Sequence, residues 1–316
     1  MSADQNKNHR QTNDASGSGY HVPVLLNEAI EGLQIRPGGI YVDCTFGGGG
    51  HSGAILERLG PQGKLIAFDQ DEDARRNLPD DTRVIFVPHN FRHLQRFLRF
   101  HKIEAMDGLL ADLGVSSYQF DEAARGFSTR FDAPLDMRMD RKQQVTAGEI
   151  LRTWTEKDLH KMFEQYGEVT NSKTLARTIA EARQRMPLQT IQDFKDAVFA
   201  VVKGNPKKYL AQVFQALRIA VNDELGALKE LLSQIPPLLR KDGRVAIITF
   251  HSLEDRIVKN FFKTGSLEEV RPDSVYGTKL ESPFLVITKK PILPSATEIR
   301  QNPRARSAKL RIAQKK

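Results

Sequence analysis

From residue 40 onward, short apolar runs alternate with amphipathic stretches in a regular order. The runs at 40–44, 64–68, 84–87 and 108–113 read as buried strands. Helical stretches separate them: one ending near Leu59-Gly60, one at 72–77 and one at 91–100. Strands joined through helices need right-handed crossovers, which produce a parallel sheet. Upstream, Val24, Leu25, Ala29, Ile30 and Leu33 space a short amphipathic helix, and Pro37-Gly38-Gly39 turns the chain into the first strand. After Leu113 the alternation breaks. Between 116 and about 205 no buried strand is predicted; helices are, at 147–152, 156–166, 172–185 and 191–202. Two of them open on capping-box spacings, Thr146-x-x-Glu149 and Thr190-x-x-Asp193. A single long helix over 209–234, carrying Val213, Leu217, Val221, Leu225, Leu228 and Leu232, then leads to a strand at 245–250, a helix at 253–262 and a last strand at 284–289. Residues 1–19 hold almost nothing apolar and are expected to be a disordered tail. The pattern therefore predicts an α/β fold with a doubly wound, mostly parallel sheet built from 20–115 and 206–316, interrupted by an all-α insertion at 116–205.

Charge and cysteine content narrow the class. Lys and Arg outnumber Asp and Glu by 47 to 39 in 316 residues, and the resulting +8 suits an anionic partner such as nucleic acid as well as it suits a merely basic surface. One cysteine forbids an internal disulfide and a multi-cysteine metal site. No apolar run reaches the roughly 18 residues of a membrane span, so a cytoplasmic protein with no membrane partner is expected.

Four consecutive glycines, Gly47 to Gly50, follow the first strand and open a helix. Without Cβ atoms the backbone takes positive φ and lets a ligand approach closely. Gly48-x-Gly50-x-x-Gly53, with Asp69 further on, satisfies a dinucleotide fingerprint and would favour NAD. Charge argues otherwise. Asp43, Asp69 and Asp112 end three predicted strands whose tips line one crevice. Two unit charges about 4 Å apart interact by about 4 kcal/mol at an effective dielectric of 20, enough to repel a pyrophosphate and to hold a sulfonium. S-adenosylmethionine suits such a crevice, with Asp69 on its ribose and Phe91 either against its adenine or in the core. Asp112, Ser116 and Ser117, at the switch point, are where a methyl acceptor should arrive.

Other clusters read more plainly. Asp71 and Asp73 look like solvated acids at a helix start, since Ala74 replaces the glycine of a calcium loop. Asp132, Asp136 and Asp140 recur every four residues, but Pro134 breaks any helix that would align them on a metal, and Arg130, Arg138 and Arg141 are their expected partners. Ser252-x-x-Asp255 reads as a helix cap, with a substrate-facing His251 left open. Cys44, expected to be buried, is a poor nucleophile for pyrimidine C5 chemistry. Arg304, Arg306, Lys309 and Arg311 form either a solvated tail or a phosphate-contacting strip.

Several of these blocks together resemble the ribosomal RNA small subunit methyltransferase H family. They are His21-Val22-Pro23-Val24-Leu25-Leu26, Asp43-x-Thr45-Phe46-Gly47-x-Gly49-Gly50-His51-Ser52, Asp112-Leu113-Gly114-Val115-Ser116-Ser117, Gly126-Phe127-Ser128, Pro134-Leu135-Asp136-Met137-Arg138-Met139-Asp140, Phe214-Gln215-Ala216-Leu217-Arg218-Ile219, Phe250-His251-Ser252-Leu253-Glu254-Asp255-Arg256 and Asn302-Pro303-Arg304-Ala305-Arg306-Ser307. The resemblance implies a class I methyltransferase that uses S-adenosylmethionine to methylate N4 of a cytidine in the decoding region of 16S ribosomal RNA, within the small subunit, with a homodimer left open. It places cofactor contacts on Gly49, Gly50, His51, Asp69, Phe91, Asp112 and Gln119, with Asp43 near the pocket; His51 and Gln119 come from the resemblance alone. The Asn/Asp-Pro-Pro-aromatic sequence of many amino-group methyltransferases is replaced here by Asp112-Leu113-Gly114. Basic residues of the insertion, Arg177, Arg183, Arg185, Lys203, Lys207 and Lys208, are the expected RNA-positioning groups. A nicotinamide oxidoreductase and a non-catalytic RNA-binding module remain the alternatives.

Overall fold

The computed structural model describes residues 23–268 and 281–316; the expected tail at 1–19 lies outside them. The first half contains α1 (Leu26–Leu33), β1 (Ile40–Asp43), α2 (Gly50–Leu56), β2 (Lys64–Phe68), β3 (Val84–Val87), α3 (Leu94–Phe100) and β4 (Met106–Asp112). A helical cluster follows: α4 (Ser117–Asp121), α5 (Ala147–Thr153), α6 (Glu156–Gly167), α7 (Ser172–Ala182), α8 (Ile191–Val198) and α9 (Pro206–Asn222). The chain then returns through α10 (Glu224–Leu238), β5 (Leu239–Thr249), α11 (Ser252–Thr264), β6 (Phe284–Val286), α12 (Ala296–Gln301) and β7 (Lys309–Lys315).

The seven strands lie in the order β3-β2-β1-β4-β5-β7-β6. Pairs among β1 to β5 are parallel, whereas β7 runs antiparallel to both β5 and β6. This is the doubly wound, mostly parallel sheet expected. Its strands are near-continuously apolar because helices cover both faces. One face packs Val42, Phe68, Leu109 and Ile247 against α3, α10 and α11; the other packs Tyr41, Leu65, Leu110 and Ile248 against α1 and α2. The chain leaves β1 towards β2 and β3, then crosses back to β4. A crevice therefore opens between the carboxyl ends of β1 and β4.

Two expectations need correction here. The single helix over 209–234 is two helices, because Asp223 takes a left-handed conformation (φ 47°) that ends α9 and starts α10. Asn222 beside it turns inward and binds the Met139 amide and the Met137 carbonyl. Of the basic run at 304–311, expected as a solvated tail or a phosphate-contacting strip, the part from Lys309 is a strand paired on both sides, and the last strand expected at 284–289 is a short edge at 284–286. Arg311 is only 6 % exposed in β7. Asp255 neutralises it through a 2.6 Å hydrogen bond, which is what makes a buried guanidinium tolerable.

The helical cluster has its own core, including Phe127, Leu135, Ile150, Phe163, Ile179 and Phe194. That core extends into α9 through Val213, Leu217 and Val221, past the boundary expected at 205. Arg125 ties the cluster to the sheet. Its Nη1 donates to Asp71 at 2.7 Å, and its Nη2 to the carbonyls of Arg138 and Met139.

Candidate functional site

A cavity of about 640 Å³ opens at the switch point between β1 and β4. Gly47, Gly48, Gly50 and His51 from the first turn, Asp69 and Asp71 after β2, Phe91 before α3, Asp112 to Gln119 after β4, and Glu224 and Glu254 from the α10 and α11 starts all line it. The glycine turn works as its composition predicts: Gly47 and Gly49 have φ of 49° and 78°, and a Cβ on Gly50 would lie 2.2 Å from Pro23. Hydrogen bonding in this turn decides between ligands. The Gly47 amide donates to Asp69 Oδ2 at 2.7 Å and the Gly49 amide to the Phe46 carbonyl. Two donors that would cradle a phosphate are already used, one of them by a carboxylate.

The three strand-end carboxylates fall into different settings. Asp43 is fully buried beneath the turn, accepting from the Thr45 amide and the Ser52 hydroxyl, and does not line the cavity. Asp69 faces it and holds the amides of Gly47 and Asp71; burial raises its pKa to about 6 against the lowering effect of those two bonds. Asp112 also faces it. Burial pushes this carboxyl well above its ordinary range, with the charges of Asp43 and Glu254 adding to the effect. Its Oδ1 is buried without a hydrogen-bond partner, and its Oδ2 lies 3.8 Å from His51 Nδ1. An unsatisfied buried carboxylate oxygen calls for a donor or a cation. Burial keeps His51 neutral, pushing its pKa down, although Asp43 pulls the other way, and its Nε2 meets the Val24 carbonyl.

Gln119 lies in the cavity wall, yet both ends of its amide are committed: Nε2 donates to Asp71, and Oε1 accepts from the Ser116 amide in a capping box that starts α4. Ser116 Oγ accepts the return bond from the Gln119 amide. Ser117 and Tyr118 stand at the wall beside Asp121 and Arg304. Arg304 is half-buried: it binds Asp121 and lies 5.1 Å from the centroid of the Phe120 ring.

Several sequence expectations are overturned. Asp71 is not solvated but 5 % exposed, accepting from Arg125 and Gln119. Only Arg138 among the three arginines pairs as expected, with Asp136 at 2.8 Å; Arg130 pairs with Asp121 and Arg141 with Asp73. The cap of α11 is His251, one residue before the expected Ser252, and Asp255 binds Arg311 and Lys309 instead. The basic strip therefore divides: Arg311 is buried in an ion pair, Lys309 shares that pair, Arg304 sits at the cavity wall and Arg306 is exposed. In the helical cluster, Arg183 is spent on the Leu151 and Trp154 carbonyls at the end of α5, whereas Arg185 lines a second groove with Arg152 and Met186. Cys44 is buried and its thiol pKa raised by that burial, which disfavours thiolate chemistry.

What sequence reasoning missed is the acidic wall opposite the glycine turn. Glu254 accepts the Phe250 amide at 2.9 Å, and its Oε1 lies 3.2 Å from His251 Nε2. Arg218 grips Glu224 through two bonds of 2.8 and 3.1 Å. Glu224, His251 and Glu254 have ligand atoms within 4.8 Å of one another, the one such group among the described residues, but Arg218 already supplies its positive charge. No described helix is long and apolar enough to cross a membrane.

Comparison with known proteins gives the family. A family model described as the MraW methylase family matches residues 18–316. Ribosomal RNA small subunit methyltransferase H of Azobacteroides pseudotrichonymphae is 55 % identical over 297 residues, covering 94 % of this chain and 97 % of that one. Its counterpart in Bacteroides thetaiotaomicron is 52 % identical over 298 residues, covering 94 % and 98 %. Among solved structures, an rRNA methylase from Streptococcus thermophilus is 12 % identical with a TM-score of 0.38, covering 92 % of this chain and 93 % of that one.

Proposed function

The chain belongs to the MraW methylase family, and from that premise we propose that it transfers the methyl group of S-adenosylmethionine to N4 of a cytidine in the decoding region of 16S ribosomal RNA, acting on the small subunit. The carrying observation is the acid-lined cavity at the β1–β4 switch point, where Asp112 keeps an unpartnered buried oxygen. That donor set fits a cationic, phosphate-free molecule. Asp69 and the Gly47, Gly48 and Gly50 backbone would hold its ribose and amino-acid parts, Phe91 would lie along its adenine, and His51 would close the turn, whereas Gly49, whose amide is bound to the Phe46 carbonyl, does not line the cavity.

The donor supplies an electrophilic methyl group on a sulfonium. The protein's own residues do the rest. The cytosine amine is a poor nucleophile because its lone pair is delocalised into the ring; acceptors for its hydrogens favour the pyramidal nitrogen that attacks. Asp112 and the hydroxyls of Ser116 and Ser117 are those acceptors, standing on the cavity wall after β4. The base must leave its stack to enter the cavity. Arg304 and Tyr118 at the wall and Arg306 and Arg185 outside it are placed to hold the flanking RNA.

The test is mass spectrometry of 16S RNA after incubation of small subunits with the purified protein and S-adenosylmethionine. N4-methylcytidine in the decoding region is the expected product. Transfer to C5, to another RNA, or to nothing overturns the reading.

A further inference from the structure

Glu254 is a carboxylate that the proposed reaction does not use, although it lines the same cavity as Asp112 and is among the charges that act on it. It is 2 % exposed and so cannot meet the acceptor itself. Its environment is built. The Phe250 amide donates to Oε2, the His251 ring lies 3.2 Å from Oε1, and that ring is oriented by accepting the Glu254 amide at its Nδ1. His251 Nε2 faces Glu254 Oε1 as a close contact and has no hydrogen-bond partner among the described residues.

We propose that Glu254 is a positioning residue: held beyond the end of β5 by the Phe250 amide, with the His251 ring against its other oxygen, it keeps a fixed negative charge in the cavity that Asp112 lines and makes that carboxylate the acceptor of the proton leaving the cytosine amine. This rests on the amine-methylation reading. As the nitrogen lone pair forms the new N–C bond, the C–S bond breaks with its electron pair left on sulfur, and one N4 proton passes to an Asp112 oxygen and then to solvent.

The charges around the two groups support the division. Asp112 faces Asp43 from β1, His51 from α2 and Glu254 from α11. Glu254 faces His251 at its own helix start and Arg218 from α9. Burial pushes Glu254 up, but the His251 ring, the Arg218 charge and the Phe250 amide outweigh it and leave the carboxyl below its ordinary value. Neighbouring carboxyls driven apart in this way take opposite acid–base duties. Glu224 at the α10 start also faces Glu254, with ligand atoms within 4.8 Å, and the two carboxyls share the Arg218 guanidinium.

Glu254→Gln removes the charge while keeping an acceptor for the Phe250 amide. S-adenosylmethionine binding measured by calorimetry from pH 5 to 9, in an Asp69→Asn background that removes the limb near pH 6, reads the Asp112 carboxyl without any RNA, because a cation binds its ionised form. The acid midpoint of that affinity should move down by at least about half a unit, about a threefold change in proton affinity. The acid limb of single-turnover methylation should move with it, and Glu254→Asp should restore both. If E254Q does not fold, His251→Asn keeps the helix cap but removes the ring facing Glu254, raising the proton affinity of Glu254 and moving the midpoint the same way. An unmoved midpoint in whichever variant folds overturns the proposal. Failure of wild-type protein to methylate N4 overturns the amine reading instead, and the binding arm separates the two.

Discussion

Replacing Arg125 by Met tests how the helical cluster is fastened to the cofactor side of the sheet. Arg125 is 3 % exposed and makes three bonds: to Asp71 at 2.7 Å and to the Arg138 and Met139 carbonyls at 2.9 and 3.0 Å. Methionine has a similar reach and no charge, so the change leaves Asp71 buried with a charge that nothing cancels. Removing one partner of a buried pair costs about 3–5 kcal/mol. Asp71 keeps the Gln119 donor at 2.8 Å and the Asp73 amide, so the loss should fall at the lower end, near 3 kcal/mol. At about 2 °C per kcal/mol for a chain of this size, the melting temperature should drop by about 6 °C. Scanning calorimetry of the wild type, the single variant and the double variant Asp71→Asn/Arg125→Met gives the full cycle. The double variant should lose at least about 1 kcal/mol less than the two singles added together, since no uncompensated charge remains. A single variant melting within about 2 °C of wild type, or strictly additive losses, would show that the pair does not fasten the two parts.

Asp69→Ala removes the acceptor for two backbone amides, and calorimetry should show S-adenosylmethionine affinity falling at least about tenfold; unchanged affinity takes Asp69 off the ribose. Wild-type affinity should also weaken as pH falls through about 6, where Asp69 gains its proton, and the Asp69→Asn variant should lose that limb. The sign for stability is opposite: the folded form holds this proton more tightly than the unfolded chain, so the apo protein's Asp69 contribution improves as pH falls from about 6 towards 4, measurable in urea titrations. Gly50→Ala places a Cβ 2.2 Å from the Pro23 ring and should cost about 1–3 kcal/mol together with donor binding, read by melting and calorimetry; a variant that binds normally refutes the close approach. Asp112→Asn should cut turnover at least about 100-fold, and full turnover with intact donor affinity would end its catalytic role.

The parallel half of the fold was legible because periodicity carries it: apolar runs bounded by Gly and Asp turns mark β1 to β4, and the glycines after β1 mark the site. Where reading failed, the deciding contact is distant in sequence. Lys309 to Ile312 alternates basic and apolar residues as a strand should, yet the charge of Arg311 masks it until Asp255, 56 residues away, is seen to cancel that charge. The break between α9 and α10 falls at Asp223, in a left-handed conformation and paired with Arg92, 131 residues away. Asp71 looked solvated because its guanidinium comes from 54 residues downstream. Glu254 was visible as a residue but not as part of a wall, since only the fold brings the α11 start opposite the glycine turn.

The glycine fingerprint shows why spacing alone misleads. A dinucleotide site needs its turn amides free to meet a pyrophosphate at a helix start. Here the acid that fingerprint logic would assign only to a ribose is also bonded to the Gly47 amide, so its charge stands where the phosphate would have to be. Asp112 and Glu224 sit across the same cavity, and its basic lining residues, Arg76 and Arg304, are tied to Asp73 and Asp121. A diphosphate would lose water, meet occupied donors and face carboxylates. A sulfonium with an ammonium group meets the same carboxylates as partners. The glycines supply close approach in both kinds of site; it is the Asp69–Gly47 bond that sets the sign of what may approach.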